Sequence, residues 1–210
     1  MGIILAAVGA IASAAASITR SLATIGLALQ GVKLICETLV SIGKTLGIIK
    51  SDTNPEDLGD KALQAEEEGI TPEDYESFED YVKAIEDFEV DPEKSNLYTE
   101  EEKTMKAVEV ASGVIVEKYG DEMPLEEFCE VVEDNPEYFS PDQPEKIADI
   151  ISSGSETVSV VTGVLNGTIE DPEFMKEAVD KMVELELKAN PERSEAEVRN
   201  EIVQMLLNRK

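Results

Sequence analysis

The first fifty residues constrain the fold of this chain most strongly, because they are apolar almost throughout. Residues 1–19 contain no charged side chain, and the apolar character resumes after Arg20 and continues to Ile49. Exposing so much apolar surface to water is unfavourable. We therefore expect residues 1–50 to be buried against copies of the chain, against other proteins or in lipid.

Apolar side chains in this segment recur at alternating steps of four and three residues. The spacing continues over six heptads and is typical of a coiled-coil seam. A single helix of this length would extend about 75 Å. The alternative is a buried helical hairpin, broken near Gly26 or Gly31. The predicted oligomerisation seam comprises Ile4, Val8, Ile11, Ala15, Ile18, Leu22, Ile25, Leu29, Val32, Cys36, Leu39, Gly43 and Leu46.

Small residues form further rows along the same segment, at spacings that let helix backbones approach closely, in membranes especially. The rows are Gly2, Ala6, Ala10 and Ala14, then Gly9, Ser13, Ser17 and Ser21, and later Gly43 and Gly47.

A membrane span requires about 20 apolar residues, so lipid insertion stays an alternative to self-association. A secretory signal would begin with basic residues, whereas the first positive charge here is Arg20. The segment is therefore not predicted to be a signal peptide.

Charge divides the chain into two unlike parts. Residues 1–50 carry a net charge of +3 against a total of −28, so residues 51–210 carry −31. Such an acidic body repels phosphate backbones, and no direct nucleic-acid binding by it is expected. Its acidity predicts a solvated surface. The alternative interpretation of this acidity is an inhibitor that mimics the negative charge of DNA.

The residue types do not favour catalysis. The chain has no histidine, which removes the commonest general base and nitrogen metal ligand, and no tryptophan. Cys36 and Cys129 are too few and too far apart for a disulfide framework and are predicted to be reduced and buried. Residues 91–102 loosely match a calcium loop but depart from it at Pro92 and Asn96. We predict no enzyme and no catalytic, cofactor-binding or metal-ligating residue.

A helix-capping residue followed by proline recurs through the acidic body and predicts separate helix starts. The pairs are Asn54-Pro55, Thr71-Pro72, Asp91-Pro92, Asn135-Pro136, Ser140-Pro141, Asp171-Pro172 and Asn190-Pro191. With the apolar spacing, they predict helices near 55–67, 72–88, 99–119, 124–134, 143–166, 172–188 and 194–208. The stretch SETVSVVTGVLNGTI is rich in β-favouring residues, but its apolar positions step as in a helix.

These patterns together predict an all-α protein. A long apolar N-terminal helix, coiled-coil-like or folded as a hairpin, is followed by an acidic multi-helix bundle. The predicted division is an oligomerising or membrane-active helix at 1–50, a linker with a short helix at 51–70 and an acidic helical domain at 71–210. A chain lacking residues 1–50 is expected to stay folded and soluble.

The run MGIILAAVGAIASAAAS followed by an acidic helical body resembles, in layout only, small helical tail, baseplate or ejection proteins of phages and phage-like contractile particles. The resemblance implies a structural component of a multimeric particle, localised to a virion or phage-like particle. Its partners would be copies of itself and other structural proteins of the particle. The alternatives are a membrane-associated pore or ejected channel protein, inserted through residues 1–50, and an acidic DNA-mimic inhibitor.

Overall fold

The described part of the chain folds into helices connected by turns and loops. The structure is a computed structural model that describes residues 2–140 and 143–207, with side chains from Ala7 onward. This part of the chain contains no strand, so the all-α prediction is confirmed. Its helices are α1 (Gly2–Ile25), α2 (Leu29–Thr45), α3 (Pro55–Glu67), α4 (Phe78–Glu86), α5 (Pro92–Ser95), α6 (Glu100–Tyr119), α7 (Leu125–Asp134), α8 (Pro144–Ser152), α9 (Ser155–Asn166), α10 (Pro172–Ala189) and α11 (Glu195–Leu207).

The apolar N-terminal segment forms two helices. Gly26 has a φ of 72°, a left-handed conformation that ends α1, and α2 begins after Leu27 and Ala28. Both helices pack mainly against α6 and hardly against each other. The break predicted near Gly26 is therefore present, and a continuous rod of about 75 Å is wrong.

Helix α6 is the centre of the first half of the fold. Its residues from Ala107 to Val116 are almost all buried, because α1, α2, α3 and α4 pack around it. Two glycines allow two of these helices to approach closely. Gly59 of α3 faces the main chain of α6, and Gly113 of α6 leaves room for the Phe78 ring of α4.

Helix α2 joins this first group of helices to a second one. It packs on α3 and α6 on one side and on α7 and α8 on the other. Ile35, Leu39 and Ile42 of α2 are fully buried. Residues 1–50 therefore share one core with the acidic body, and α3, in the predicted linker, is a packed helix whose Ala62 and Ala65 are fully buried.

Helices α7 to α11 complete the second group. The rings of Phe128 and Phe139 meet edge to face, with their centroids 5.3 Å apart. Helix α10 packs on α8 and α9, whereas α11 packs chiefly on α10. Only Val198 and Ile202 of α11 are buried among its described residues. Helix α11 is therefore the most peripheral element of this group.

Three of the seven predicted pairs of a capping residue and proline begin α helices. Asn54-Pro55, Asp91-Pro92 and Asp171-Pro172 begin α helices, with the side chain of each first residue accepting backbone N–H bonds. Thr71-Pro72 begins a single 3₁₀ turn, Pro72–Asp74. The stretch 155–166 is helical, as predicted.

Other parts of the helix prediction were wrong. Asn135-Pro136 and Asn190-Pro191 follow the ends of α7 and α10 instead of starting helices. Ser140-Pro141 extends outside the described residues. The predicted helix 72–88 is interrupted before Ser77, which caps α4, and the helix 143–166 is interrupted at Gly154, whose φ is 93°.

Candidate functional site

Most residues of the predicted seam that the structure describes line the interior of the fold. Val8, Ala15, Ile18, Leu22, Val32, Cys36, Leu39 and Gly43 are buried. Ile11, Leu29 and Leu46 are half-buried, Ile25 is 46% exposed, and the side chain of Ile4 lies outside the described residues. Most of these side chains contact other parts of the same chain.

Because most of these side chains are buried, the alternating spacing of apolar residues reflects contacts within one chain. Val32, Cys36 and Leu39 are buried on α2, a helix that packs on both groups, so a second copy could reach them only if the core opened. Any contact between copies through α1 must therefore use the opposite side of that helix.

The opposite side of α1 is exposed and uncharged. We call Ala7, Ala10, Ser13 and Ser17 the outer face of α1; all four are exposed, at helical spacing. The first charged side chain along α1 is Arg20, whereas 30% of the whole chain is charged. The outer face is therefore an uncharged strip on a strongly acidic protein.

A hydrogen bond near the C-terminal end of α1 connects this helix to the body, because Ser21 donates to the Glu126 carboxylate of α7. Glu73 lies beside Gly9, where an added Cβ atom would be 3.7 Å from Glu73 Cγ. Arg20 folds back along the helix, and its Nε donates to the Ala16 carbonyl oxygen at 3.1 Å. The outer face thus lies on a helix that is attached to the body by a polar contact near its end.

Helix α1 also has the length and composition of a membrane span. Ala7–Ile25 has a mean hydropathy of 1.3, and 22% of this stretch is buried within the fold. Core helices of soluble proteins can pass the same test. The small buried share nevertheless agrees with a helix that packs along one side only.

A second feature is a buried ion pair that the sequence analysis missed. Lys146 Nζ lies 3.0 Å from Glu186 Oε2, and the two side chains are 2% and 8% exposed. The ammonium also lies 4.2 Å from the centre of the Tyr138 ring. Burial lowers the pKa of Lys146, although Glu186 opposes that shift.

Glu186 collects further donors. Its Oε1 accepts hydrogen bonds from Asn190 at 2.9 Å and from Arg193 at 3.3 Å. The available sequence signal was the position of Lys146 one turn before Ile150, on the apolar face of α8. Pairing with Glu186 could not be read from that pattern, because the two residues lie on different helices.

The calcium-loop string serves as a set of helix caps. Asp91 Oδ1 accepts the Glu93 N–H at 2.8 Å, and Glu102 forms a capping box with Thr99. Within residues 2–140 and 143–207, no cluster of three or more candidate ligands could hold a metal ion.

No protein-family model, curated protein sequence or solved structure matches the chain. Its function is therefore inferred from its own fold and surface.

Proposed function

We propose that this protein is a non-enzymatic structural component of a multimeric assembly in which copies associate through the outer face of α1. One observation carries the proposal: the outer face is uncharged, although the chain has a net charge of −28. Burying an unpaired charge in a contact is costly, whereas alanine has no polar group and a helical serine can direct its hydroxyl to a carbonyl of its own helix. The outer face therefore suits contact between copies.

Small side chains suit this role sterically as well. Ala10, Ser13 and Ser17 leave the helix backbone close to the surface, so another helix can approach it closely. The inner residues Val8, Ala15 and Leu22 meanwhile keep α1 on its own body. The two sides of α1 thus have separate tasks, folding on one side and association on the other.

The size of the face favours an assembly larger than a dimer. From Ala7 to Ser17 the outer face is about 16 Å long, and a strip about 10 Å wide on it would cover roughly 160 Å² per copy. Two copies would bury about 320 Å², less than the roughly 1,200–2,000 Å² of a stable interface. A bundle in which each α1 touches two neighbours increases the area that each copy buries. A phage tail or phage-like particle, the setting that the layout resembles, contains such bundles of identical helices.

Sedimentation velocity on the full chain tests the proposal. Ser17→Glu places a charge on the outer face, and we expect it to shift oligomers to monomers. Ser159→Glu is the matched control, because Ser159 is also an exposed serine in the middle of a helix, α9. A wild-type chain that stays monomeric across the accessible concentrations would refute the proposal, as would equal effects of the two substitutions.

Membrane insertion of α1 is the second candidate, favoured by the length and hydropathy of Ala7–Ile25. Insertion would require α1 to leave α6, whereas self-association through the outer face would not. Ser21→Cys with Glu126→Cys, closed by a short thiol cross-linker, would tether α1 to α7 where the two side chains meet. Cys36 and Cys129 are buried and should not compete for the reagent.

Flotation with phosphatidylcholine vesicles then separates the two functions. Self-association predicts unchanged oligomers in the tethered protein and no flotation of either form. If the untethered protein floats and the tethered one does not, membrane insertion is the better description of α1.

A further inference from the structure

A cleft of about 700 Å³ lies between α11 and residues 134–138, which follow the end of α7. Its volume is in the range of small-molecule sites. Tyr138, Lys146 and Glu186 contribute buried side chains to it, and Val198, Ile202 and Met205 contribute an apolar wall. The cleft lies away from the outer face of α1, and its argument is independent of the assembly proposed above.

The buried side of the cleft has hydrogen-bond donors in excess. Lys146 has three N–H groups, and Glu186 is its one hydrogen-bond acceptor among the described residues. Within the same part of the chain, the buried hydroxyl of Tyr138 has no hydrogen-bond partner. Unpaired buried donors are unfavourable, and the Lys146 ammonium, with one hydrogen-bond acceptor for three N–H groups among the described residues, is complementary to a further acceptor oxygen.

Arg193 provides the group best suited to hold such an oxygen. Its guanidinium lies between Glu186, at 3.3 Å, and Glu201, at 2.5 Å. The Glu186 side chain is buried, but that of Glu201 is 64% exposed. Exposed ion pairs contribute little to stability, so a ligand carboxylate could displace Glu201 and take its place on the planar guanidinium.

The rest of the cleft restricts the ligand further. Val198, Ile202 and Met205 can cover an apolar chain, which favours an apolar body beside the oxygen atoms. Asp134 and Glu137 lie exposed at the rim and would repel a second negative charge. We propose that this cleft binds a small organic monocarboxylate, with its carboxylate on Arg193 beside Lys146 and its apolar body against α11.

Isothermal titration calorimetry with sodium octanoate tests this proposal on the full chain. We expect saturable binding of octanoate. Octanamide lacks the charge, and octanedioate adds a second one at the far end; both should bind at least tenfold more weakly. Methyl NMR should show shifts of the Met205 and Ile202 signals on octanoate addition. No binding, or equal binding of octanoate and octanamide, would overturn the proposal.

The substitution Glu201→Gln is expected to increase the affinity for octanoate, although it removes a side chain that lines the cleft. It removes the competing carboxylate at an exposed position, so octanoate should bind at least threefold more tightly. Asp180→Asn is the matched control, because Asp180 of α10 also forms an ion pair with an arginine, Arg199 of α11, but does not line the cleft. Its affinity should equal that of the wild type. Unchanged or weaker binding by Glu201→Gln, with native circular dichroism, would show that Arg193 does not receive the ligand.

The Ser17→Glu variant shows whether ligand binding is independent of self-association. Octanoate binding should persist in this variant, because Ser17 lies on α1 and the cleft does not involve that helix. A failure of self-association would therefore leave the ligand proposal intact, and the reverse also holds.

Discussion

A Cβ atom on Gly59 would lie only 1.8 Å from the carbonyl oxygen of Lys103. This contact, between α3 and the first turns of α6, allows the main chains of the two helices to pack directly together. Because the obstructing atom belongs to the main chain, it cannot turn away as a side chain would. Gly59→Ala should lower the free energy of unfolding by about 3 kcal/mol, measured by urea denaturation.

Gly9→Ala is the matched control for this prediction. Gly9 is also a helical glycine, but its nearest neighbour would be Glu73 Cγ, at an ordinary 3.7 Å. The substitution should raise the free energy of unfolding by about 0.5–1 kcal/mol, since alanine loses less conformational entropy in a helix. Similar effects at both glycines would show that the α3–α6 approach is looser than described.

The contrast between these glycines shows which parts of the fold the sequence could reveal. Helix starts at Asn54-Pro55 and Asp171-Pro172 depend on neighbouring residues and were predicted correctly. The contact of Gly59 with Lys103 depends on two distant segments, and no local pattern marks it. The step from Ile25 to Leu29 kept the four-residue spacing across the break at Gly26, so periodicity alone could not locate the turn.

The same restriction to local patterns explains why the predicted seam turned out to be buried within the chain. Periodicity identifies which side of a helix is covered, but it does not identify what covers it. The α2 members of the seam, such as Val32 and Leu39, are covered by the chain itself. Of the outer face of α1, the sequence analysis placed only Ala10, Ser13 and Ser17 in rows of small residues, and it divided them between two rows. Its exposure followed from the packing of α1 on α6.

The buried pair of Lys146 and Glu186 predicts an unusual pH dependence. Burial lowers the pKa of Lys146 from its ordinary 10.5, so the unfolded chain binds the proton more tightly. Between the folded and unfolded pKa values, the contribution of Lys146 to stability therefore rises with pH. Comparing the wild type with Lys146→Met by urea denaturation removes the titrations that both proteins share. The difference in unfolding free energy should move in favour of the wild type as the pH rises toward 10.5; a constant or opposite difference would contradict this explanation.

Deletion of residues 1–50 should unfold the remainder of the chain. The different charges of the two segments had instead led us to expect that the remainder stays folded. The deletion removes Ile35, Leu39 and Ile42 from the core. It also exposes the buried residues of α6, most of which are apolar. We expect loss of cooperative thermal unfolding, monitored by circular dichroism. A chain ending at Ser194 loses only α11 and should still unfold cooperatively, because α11 packs chiefly on α10. A cooperative transition in the first deletion would restore the two-domain interpretation.

Both cysteines should be unreactive in the folded protein. Burial raises the pKa of Cys36 and of Cys129 to about 12, and the side chains are 1% and 0% exposed. A thiol reacts as its thiolate, so Ellman's reagent at pH 8 should label neither residue. Both thiols should react after unfolding in guanidinium chloride. Rapid labelling of the native chain would mean that α2 or α7 opens readily.

Self-association through α1 should strengthen as the salt concentration rises. Each copy carries a net charge of −28, whereas the outer face of α1 is uncharged. Repulsion between the acidic bodies therefore opposes association, and salt screens it; the Debye length is about 30 Å at 0.01 M and about 8 Å at 0.15 M ionic strength. Sedimentation velocity in 0.02 M and 0.5 M sodium chloride should show a larger weight-average mass at the higher concentration. An interface built from ion pairs between copies would weaken under the same change, so a decrease in mass would exclude the uncharged face of α1 as the principal contact.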